Sequence, residues 1–241
     1  MKKHGTALWH YVQQLSDLGV KELFFENMSA HNALALLRST PVTHETHSGN
    51  DGAQEARSTG LNVLQEQASG CVRCRLHETR RTVVFGEGDP NAEVMVVGEA
   101  PGQEEDRTGK PFVGPAGKLL DLLLLTAGFP RRDVYICNVL KCRPPNNRNP
   151  LPDEVAHCSD YLLGQINSVA PRALIAVGKF AIQALLQTEE SVGRLRGQIH
   201  AYSGKPMIVT YHPAYLLRSP QAVRVAWQDF QLLRQVLDEQ H

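Results

Sequence analysis

The sequence has no apolar run long enough to span a membrane or to form the core of a secretory signal peptide. Lys2 and Lys3 lie near its beginning, but polar residues interrupt the segment that follows them. It also lacks the cysteine spacing of a disulfide framework, and its five cysteines are an odd number, which fits a reducing compartment. These absences predict a cytoplasmic protein that has no membrane partner.

The sequence also has no net charge, because 25 Lys and Arg balance 25 Asp and Glu. This balance excludes the class of nucleic-acid-binding proteins that are basic over their whole surface. The basic residues are nevertheless clustered along the chain, at Arg73, Arg75, Arg80 and Arg81, at Lys141, Arg143 and Arg148, and at Arg194 and Arg196. Such local patches attract phosphate in a salt-dependent way, so DNA binding stays open.

Four of the five cysteines are spaced like the ligands of one metal centre. Cys71 and Cys74 form a C-x₂-C pair, and Cys142 and Cys158 follow on separate elements. Both tetrahedral zinc and iron–sulfur clusters accept four cysteines. The wide second pair is unlike a zinc ribbon and favours a cluster, while four unrelated buried thiols remain the alternative. Cys137 lies inside an apolar, β-rich run and is expected in the core.

The composition divides the chain into three segments. Residues 1–38 carry apolar positions at helical spacing and are predicted to form a helical appendage. Residues 39–60 are rich in Ser, Thr, His, Gly, Asn and Asp, which predicts a polar, flexible linker. Residues 61–241 are long enough for one sizeable domain.

Strand and helix patterns alternate through this domain. Continuous apolar runs predict buried strands at 94–97, 134–140, 173–177 and 207–210, each followed by a helical pattern. This order predicts an α/β fold, a three-layer α/β/α arrangement around a central, mainly parallel four-stranded sheet.

Three of these strands end in segments with unusual chemistry. They are Gly98-Glu99-Ala100-Pro101-Gly102, Asn138-Val139-Leu140-Lys141-Cys142-Arg143, and His212-Pro213-Ala214-Tyr215-Leu216-Leu217-Arg218. Because the carboxyl ends of parallel strands meet at one edge of a sheet, the three segments are expected to form a single site there.

These segments together resemble the family 4 uracil-DNA glycosylases, the iron–sulfur branch of the uracil-DNA glycosylase superfamily. The resemblance covers the chain from about residue 61 and adds two motifs, Glu104-Glu105-Asp106 and Thr108-Gly109-Lys110-Pro111-Phe112-Val113-Gly114. It implies a monofunctional enzyme that flips uracil out of DNA and hydrolyses its N-glycosidic bond with water. It also implies a 4Fe-4S cluster on Cys71, Cys74, Cys142 and Cys158.

The resemblance assigns the residues that hold uracil. Phe112 would stack on the flipped base, and Asn138 would pair with O4 and N3–H of uracil, which cytosine cannot match. Glu105 would stand beside C5 and exclude the methyl group of thymine. His212 would donate to uracil O2, where negative charge grows as the bond to the sugar breaks.

The sequence leaves more than one candidate for the group that positions the attacking water. Ala100 stands where other branches of the superfamily have Asp or Asn, and it cannot act as a base. Glu99 and the backbone of the Ala100-Pro101-Gly102 turn, which would also border the uracil, are the remaining candidates. No lysine pairs with these motifs in a position suited to Schiff-base chemistry, so a monofunctional enzyme is expected.

The expected partner is uracil-containing DNA, double- or single-stranded, bound by a monomer. Lys141, Arg143 and Arg218 are the predicted DNA contacts, and the appendage is a candidate docking element for an unknown protein. A non-catalytic iron–sulfur module that binds damaged DNA is the alternative. Another branch of the superfamily becomes covalently trapped on DNA and carries a basic loop that ends in histidine after the Asn-bearing strand. That branch is disfavoured, because the corresponding stretch from Arg143 to Arg148 has no histidine.

Overall fold

The computed structural model describes the backbone of residues 51–239 and the side chains of residues 57–239. The predicted appendage and the first part of the predicted linker lie outside the described residues. Residues 51–60 were expected in the linker, but they begin the first helix, α1 (Asp51–Ser69). Leu61 and Ala68 of α1 are buried in the core, so tertiary packing outweighs the polar composition here. The division into appendage, linker and domain stays a prediction.

The helices that follow are short to medium in length. They are α2 (Gln103–Thr108), α3 (Pro115–Thr126), α4 (Pro152–Val169), α5 (Lys179–Leu186), α6 (Val192–Leu195), α7 (Pro213–Arg218) and α8 (Val223–Asp238). Short 3₁₀ turns lie at Arg75–Glu78, Arg131–Asp133, Pro145–Asn147 and Pro220–Ala222. Within the described residues, no helix is both long and apolar enough to cross a membrane.

The sheet has six strands rather than the four that were predicted. They are β1 (Glu87–Gly88), β2 (Val94–Gly98), β3 (Val134–Asn138), β4 (Ala173–Val177), β5 (Ile199–Tyr202) and β6 (Lys205–Thr210). Their spatial order is β1-β3-β2-β4-β6-β5, with parallel pairing from β3 to β6 and antiparallel strands at both edges. The α/β fold class is confirmed, whereas the four-stranded count is wrong. The edge strands escaped prediction because β1 has two residues and β5 is partly exposed.

Helices cover both faces of the sheet. Met95 and Val97 of β2 face a core formed with α1, α4 and α5, while Val94 and Val96 face a core formed with α3, α7 and α8. Burial on both faces explains why these strands read as continuous apolar runs.

The carboxyl ends of the parallel strands meet at one edge of the sheet. Gly98 at the end of β2 pairs with Asn138 at the end of β3, and Val177 of β4 pairs with Thr210 of β6. The segments that carry the predicted chemistry leave the sheet from this edge, as expected for parallel strands.

Candidate active site and metal centre

Asn138 and Phe112 converge over Gly98. A Cβ placed on Gly98 would overlap the Oδ1 atom of Asn138 and would lie 2.5 Å from Cζ of the Phe112 ring. Any side chain at Gly98 would therefore displace both groups. The absence of a side chain at the end of β2 lets an amide and an aromatic ring come together at the strand ends.

Asn138 carries a buried acceptor that has no partner. The residue is 1% exposed, and its Oδ1 is the one buried side-chain oxygen or nitrogen in the described part of the chain without a hydrogen bond. Leaving such a group unsatisfied costs about 1–3 kcal/mol. A ligand that presents an N–H group to Oδ1 would recover this energy, so the atom is suited to recognise a base edge.

The Phe112 backbone is held in a conformation that is uncommon for an aromatic residue. Its φ is +50°, in the left-handed region. Arg131 donates from Nη2 to the Pro111 carbonyl at 2.6 Å and from Nη1 to the Phe112 carbonyl at 3.2 Å. Asp121 accepts from the same guanidinium at 2.7 Å. Arg131 therefore fixes the loop that presents the ring, a role that no sequence motif indicated.

His212 is held as a neutral hydrogen-bond donor. Its Nδ1 accepts from the backbone N–H of Ala214 at 3.2 Å, so the ring proton lies on Nε2. Burial and, to a smaller extent, the positive charge of Arg218 lower the pKa of His212 to about 4, while the charge of Glu105 opposes the shift. The ring centroid lies 5.7 Å from that of Phe112.

Gly178 allows His212 to reach this position. It follows β4 with a φ of +93°, and a Cβ there would lie 2.8 Å from the Cβ of His212. A side chain at Gly178 would push the imidazole away from the strand ends. Sequence reasoning did not single out this glycine, although its place directly after a buried strand was a usable signal.

Glu105 links two loops of the site. Its Oε1 accepts from the backbone N–H groups of Val113 at 2.9 Å and Gly114 at 3.0 Å, and its Oε2 accepts from Gly102 at 3.2 Å. Both oxygens are thus engaged with the backbone. Exclusion of a methyl group by Glu105 stays a prediction, and the contacts add a second role, which is to hold the Phe112 loop against the Gly102 turn.

Glu99 is the unpaired carboxyl at the end of β2. The side chain is partly buried and makes no hydrogen bond or ion pair within residues 57–239, while its backbone carbonyl accepts from Leu140 at 3.0 Å. Burial raises the pKa of Glu99 to about 7. The carboxyl can therefore take up or release a proton near neutral pH. Ala100 beside it has no group that could do so, and Pro101 is buried.

The four predicted ligands line a single pocket. Cys71 and Cys74 follow α1, Cys142 follows β3, and Cys158 lies in α4, and all four border one cavity. Arg80 Nη1 lies 3.2 Å from the Cys142 sulfur, and the backbone N–H of Lys141 lies 3.4 Å from the Cys158 sulfur. Burial raises the pKa of the Cys74 and Cys158 thiols and raises that of Cys142 to about 11. Cys137 is fully buried in the core, as predicted.

The arrangement of the four cysteines bears on the choice between a single zinc ion and an iron–sulfur cluster. Among the described residues, no group of three or more His, Cys, Asp or Glu side chains converges so that it could hold one metal ion. A tetrahedral zinc site requires such convergence, whereas a four-iron cluster takes one thiolate per iron and occupies the volume between them. The four thiols line one cavity, and two hydrogen-bond donors lie next to them, the Arg80 guanidinium beside Cys142 and the backbone N–H of Lys141 beside Cys158. The residues fit a cluster better than a single ion.

The structure corrects one predicted DNA contact. Lys141 is 1% exposed, and its Nζ donates to the Asn138 carbonyl at 2.6 Å, so it cannot reach a phosphate. Arg218 is exposed and Arg143 is partly exposed, so both stay available for such a contact. Arg148 is engaged elsewhere, because both of its terminal nitrogens bind the buried carboxylate of Glu154.

Comparisons with known proteins point to one superfamily. The family model of the uracil DNA glycosylase superfamily matches residues 85–231. A type-4 uracil-DNA glycosylase of Thermotoga maritima is 45% identical over 175 residues, which are 71% of this chain and 91% of that protein. One of Archaeoglobus fulgidus is 42% identical over 178 residues, 70% of this chain and 89% of that protein. A type-5 uracil-DNA glycosylase of Pyrobaculum aerophilum is 37% identical over 146 residues, 54% of this chain and 64% of that protein.

Proposed function

Because this chain belongs to the type-4 branch of the uracil-DNA glycosylase superfamily, we propose that it removes uracil from DNA and leaves an abasic site, the first step of base excision repair. The observation that carries this proposal is the buried Oδ1 of Asn138, which has no hydrogen-bond partner among residues 57–239. A base that is flipped out of the stack brings its pairing edge into such a pocket.

Asn138 selects uracil through its amide group. Its Oδ1 accepts N3–H of uracil, and its Nδ2 donates to O4. Cytosine presents an unprotonated N3 and an amino group at these positions, so it satisfies neither half of the amide. Each mismatch leaves a buried polar group unpaired at a cost of about 1–3 kcal/mol. The aromatic face of Phe112 adds stacking energy that does not depend on the base.

His212 stabilises the leaving base. As the bond between C1′ and N1 breaks, its electron pair moves onto uracil and charge gathers at O2. The Nε2–H of the neutral imidazole donates to that oxygen, and the bond strengthens as the charge grows. A neutral donor needs no change of protonation at physiological pH, because the pKa of His212 lies at about 4.

Glu99 acts on the attacking water. The water oxygen bonds to C1′ of the electron-poor sugar, and its proton passes to the Glu99 carboxylate, which can return it to the uracil anion. A pKa of about 7 suits a base that works near neutral pH.

Glu105 is the proposed barrier to the thymine methyl group, and its backbone contacts give this role a direct test. Glu105→Ala removes three hydrogen bonds to Gly102, Val113 and Gly114. We expect slower excision of uracil and 5-fluorouracil together with a lower melting temperature, because the Phe112 loop loses its anchor. New activity on thymine in a T·G mismatch would show that the side chain also acts as the methyl gate.

Cys71, Cys74, Cys142 and Cys158 would hold the 4Fe-4S cluster. When bound, the cluster would crosslink three segments of the chain, at Cys71 and Cys74, at Cys142 and at Cys158. The second of these carries Arg143, one of the side chains proposed to face DNA. The monomeric state, the cytoplasmic location and a docking role for residues 1–38 stay predictions.

The deciding experiment is incubation of the purified protein with a uracil-containing oligonucleotide, followed by alkali. Strand cleavage at the uracil position is the expected result, and Asn138→Ala serves as the matched inactive variant. Cleavage by neither protein, with tight binding to the oligonucleotide by both, would instead support the non-catalytic DNA-binding module.

A further inference from the structure

Lys141 is among the largest fully buried side chains in the described part of the chain, and it is the one charged residue in that set. It lies between two functional residues in sequence, three positions after Asn138 and directly before Cys142. Burial of an ammonium group is costly unless the charge is paired and hydrogen-bonded. Its position therefore needs a specific explanation.

The contacts of Lys141 connect the base pocket to the cysteine pocket. Its Nζ donates to the backbone carbonyl of Asn138 at 2.6 Å and to Oε1 of Gln165 on α4. Its backbone N–H lies 3.4 Å from the sulfur of Cys158, also on α4. A single residue thus touches the residue that reads the base and one of the four proposed cluster ligands.

Gln165 makes this arrangement rigid. Its Nε2 donates to the Phe85 carbonyl at 2.8 Å and to the Tyr135 hydroxyl at 3.1 Å, which leaves its Oε1 facing Lys141. The ammonium is therefore bound to acceptors that cannot turn away from it. A shift of α4 would therefore move Lys141 and, through its hydrogen bond, the backbone of Asn138.

No carboxylate of the described residues balances the Lys141 charge. Within residues 57–239, Lys141 takes part in no ion pair. The positive charge of Lys141 favours the ionised form of two nearby thiols, those of Cys137 on β3 and Cys158 on α4. Four thiolates around an iron–sulfur cluster would supply the missing negative charge.

We propose that Lys141 is a positioning residue through which the cluster holds Asn138 in place. The inference rests on the proposed function, because it requires both the cluster and the base-reading role of Asn138. The cluster would compensate the buried ammonium, and the ammonium would fix the Asn138 carbonyl, so the pairing edge of Asn138 stays aligned.

Lys141→Met tests this coupling because it keeps most of the apolar stem and removes the charge and the donor. Lys205→Met is the matched control, since Lys205 also donates to a backbone carbonyl, that of Pro171 at 2.8 Å, but at the amino end of β6. For Lys141→Met, we expect single-turnover excision about 10–100-fold slower, as for other residues that orient functional groups. Affinity for uracil-containing DNA should be unchanged.

The reduction potential of the bound cluster supplies a readout that is independent of excision. Loss of a nearby positive charge destabilises the more negative, reduced cluster, so the potential should fall in Lys141→Met and stay constant in Lys205→Met. Lys141→Gln, which restores a donor without the charge, should recover part of the excision rate but keep the lowered potential.

Two outcomes would overturn the coupling while leaving the proposed function intact. One is a Lys141→Met protein that matches Lys205→Met in excision rate and in potential. The other is failure of both Lys141 variants to fold, which would make the residue a general core element. Absence of iron from the wild-type protein would instead refute the cluster itself.

Discussion

Replacement of Glu99 by Gln is expected to make the protein more stable and less active at the same time. Burial raises the pKa of Glu99 from 4.5 to about 7, and no partner within residues 57–239 offsets this cost. Each pKa unit corresponds to about 1.4 kcal/mol. The ionised carboxyl therefore costs the folded state up to about 3 kcal/mol above pH 7, and roughly half of that once solvent screening of the partly exposed side chain is allowed for.

The sign of the pH dependence follows from the raised pKa. Between pH 4.5 and 7 the folded protein binds a proton at Glu99 that the unfolded chain has released, so this contribution to stability is lost as the pH rises. Glu99→Gln removes the titration. The variant and the wild type should therefore differ in free energy of unfolding by an amount that grows from pH 4.5 to 7 and is constant above pH 7.

The rate of excision should rise with pH, whereas the contribution of Glu99 to stability falls. The carboxylate is the active form, so the single-turnover rate of the wild type should rise through about pH 7 and then level. Glu99→Gln should lose this rise and be slower by about 10²-fold, the lower end of the range for general-base catalysis, because the sugar cation is already reactive. His212 stays neutral across this range, so it adds no second transition.

Urea unfolding and single-turnover excision, both followed from pH 5 to 9, measure these effects. Glu104→Gln is the control, because Glu104 is an exposed carboxylate on α2 that pairs with Arg107 at 2.9 Å. A Glu99→Gln protein that excises uracil at the wild-type rate, or that is less stable than the wild type at pH 8, would refute the reasoning.

Three further substitutions test other parts of the site. His212→Ala should slow single-turnover excision by about 10²–10³-fold with DNA affinity retained; a loss of affinity without a loss of rate would contradict the role in leaving-group stabilisation. Cys142→Ala should lose iron and the visible absorption of thiolate-bound iron, whereas Cys137→Ala should keep both; colour in Cys142→Ala would move the cluster elsewhere. Arg131→Gln should reduce excision about tenfold, the low end of the range for positioning residues, and leave folding nearly intact, while the exposed Arg132→Gln should have no effect on either; equal rates in these two variants would remove the role of Arg131 in holding the stacking ring.

The strand cores and the meeting of four cysteines at one cavity could be predicted because they depend on local patterns. The run over Ala173–Val177 forms a strand with the predicted bounds, since burial on both faces requires every residue to be apolar. The cysteine spacing likewise placed all four ligands around one cavity. The edge strand β1 was missed because it pairs with β3, which is distant in sequence. The other edge strand, β5, pairs with β6 across a two-residue turn, and it was missed because its partly exposed residues do not form a continuous apolar run. Sheet pairing of a segment as short as β1 has no periodic signal.

The wrong prediction for Lys141 shows what a linear pattern leaves out. A lysine beside a metal ligand is expected to face phosphate, because a charged side chain is rarely buried. Lys141 points inward because Asn138 and Gln165 offer it two acceptors. These acceptors lie on different elements, and the direction of the side chain depends on both.

Three charged side chains of this site bind backbone groups. Arg131 holds the carbonyls of the Phe112 loop, Glu105 holds the N–H groups that follow it, and Lys141 holds the carbonyl of Asn138. A neutral base binds a neutral donor or acceptor about as well as a charged group. A charged group that faces the pocket would also attract water. Charged groups hold loops more strongly than neutral ones, since their hydrogen bonds are about twice as strong. In the proposed site, the pocket presents an amide, an aromatic ring and a neutral imidazole to uracil, while charged side chains bind the backbone that carries Phe112 and Asn138.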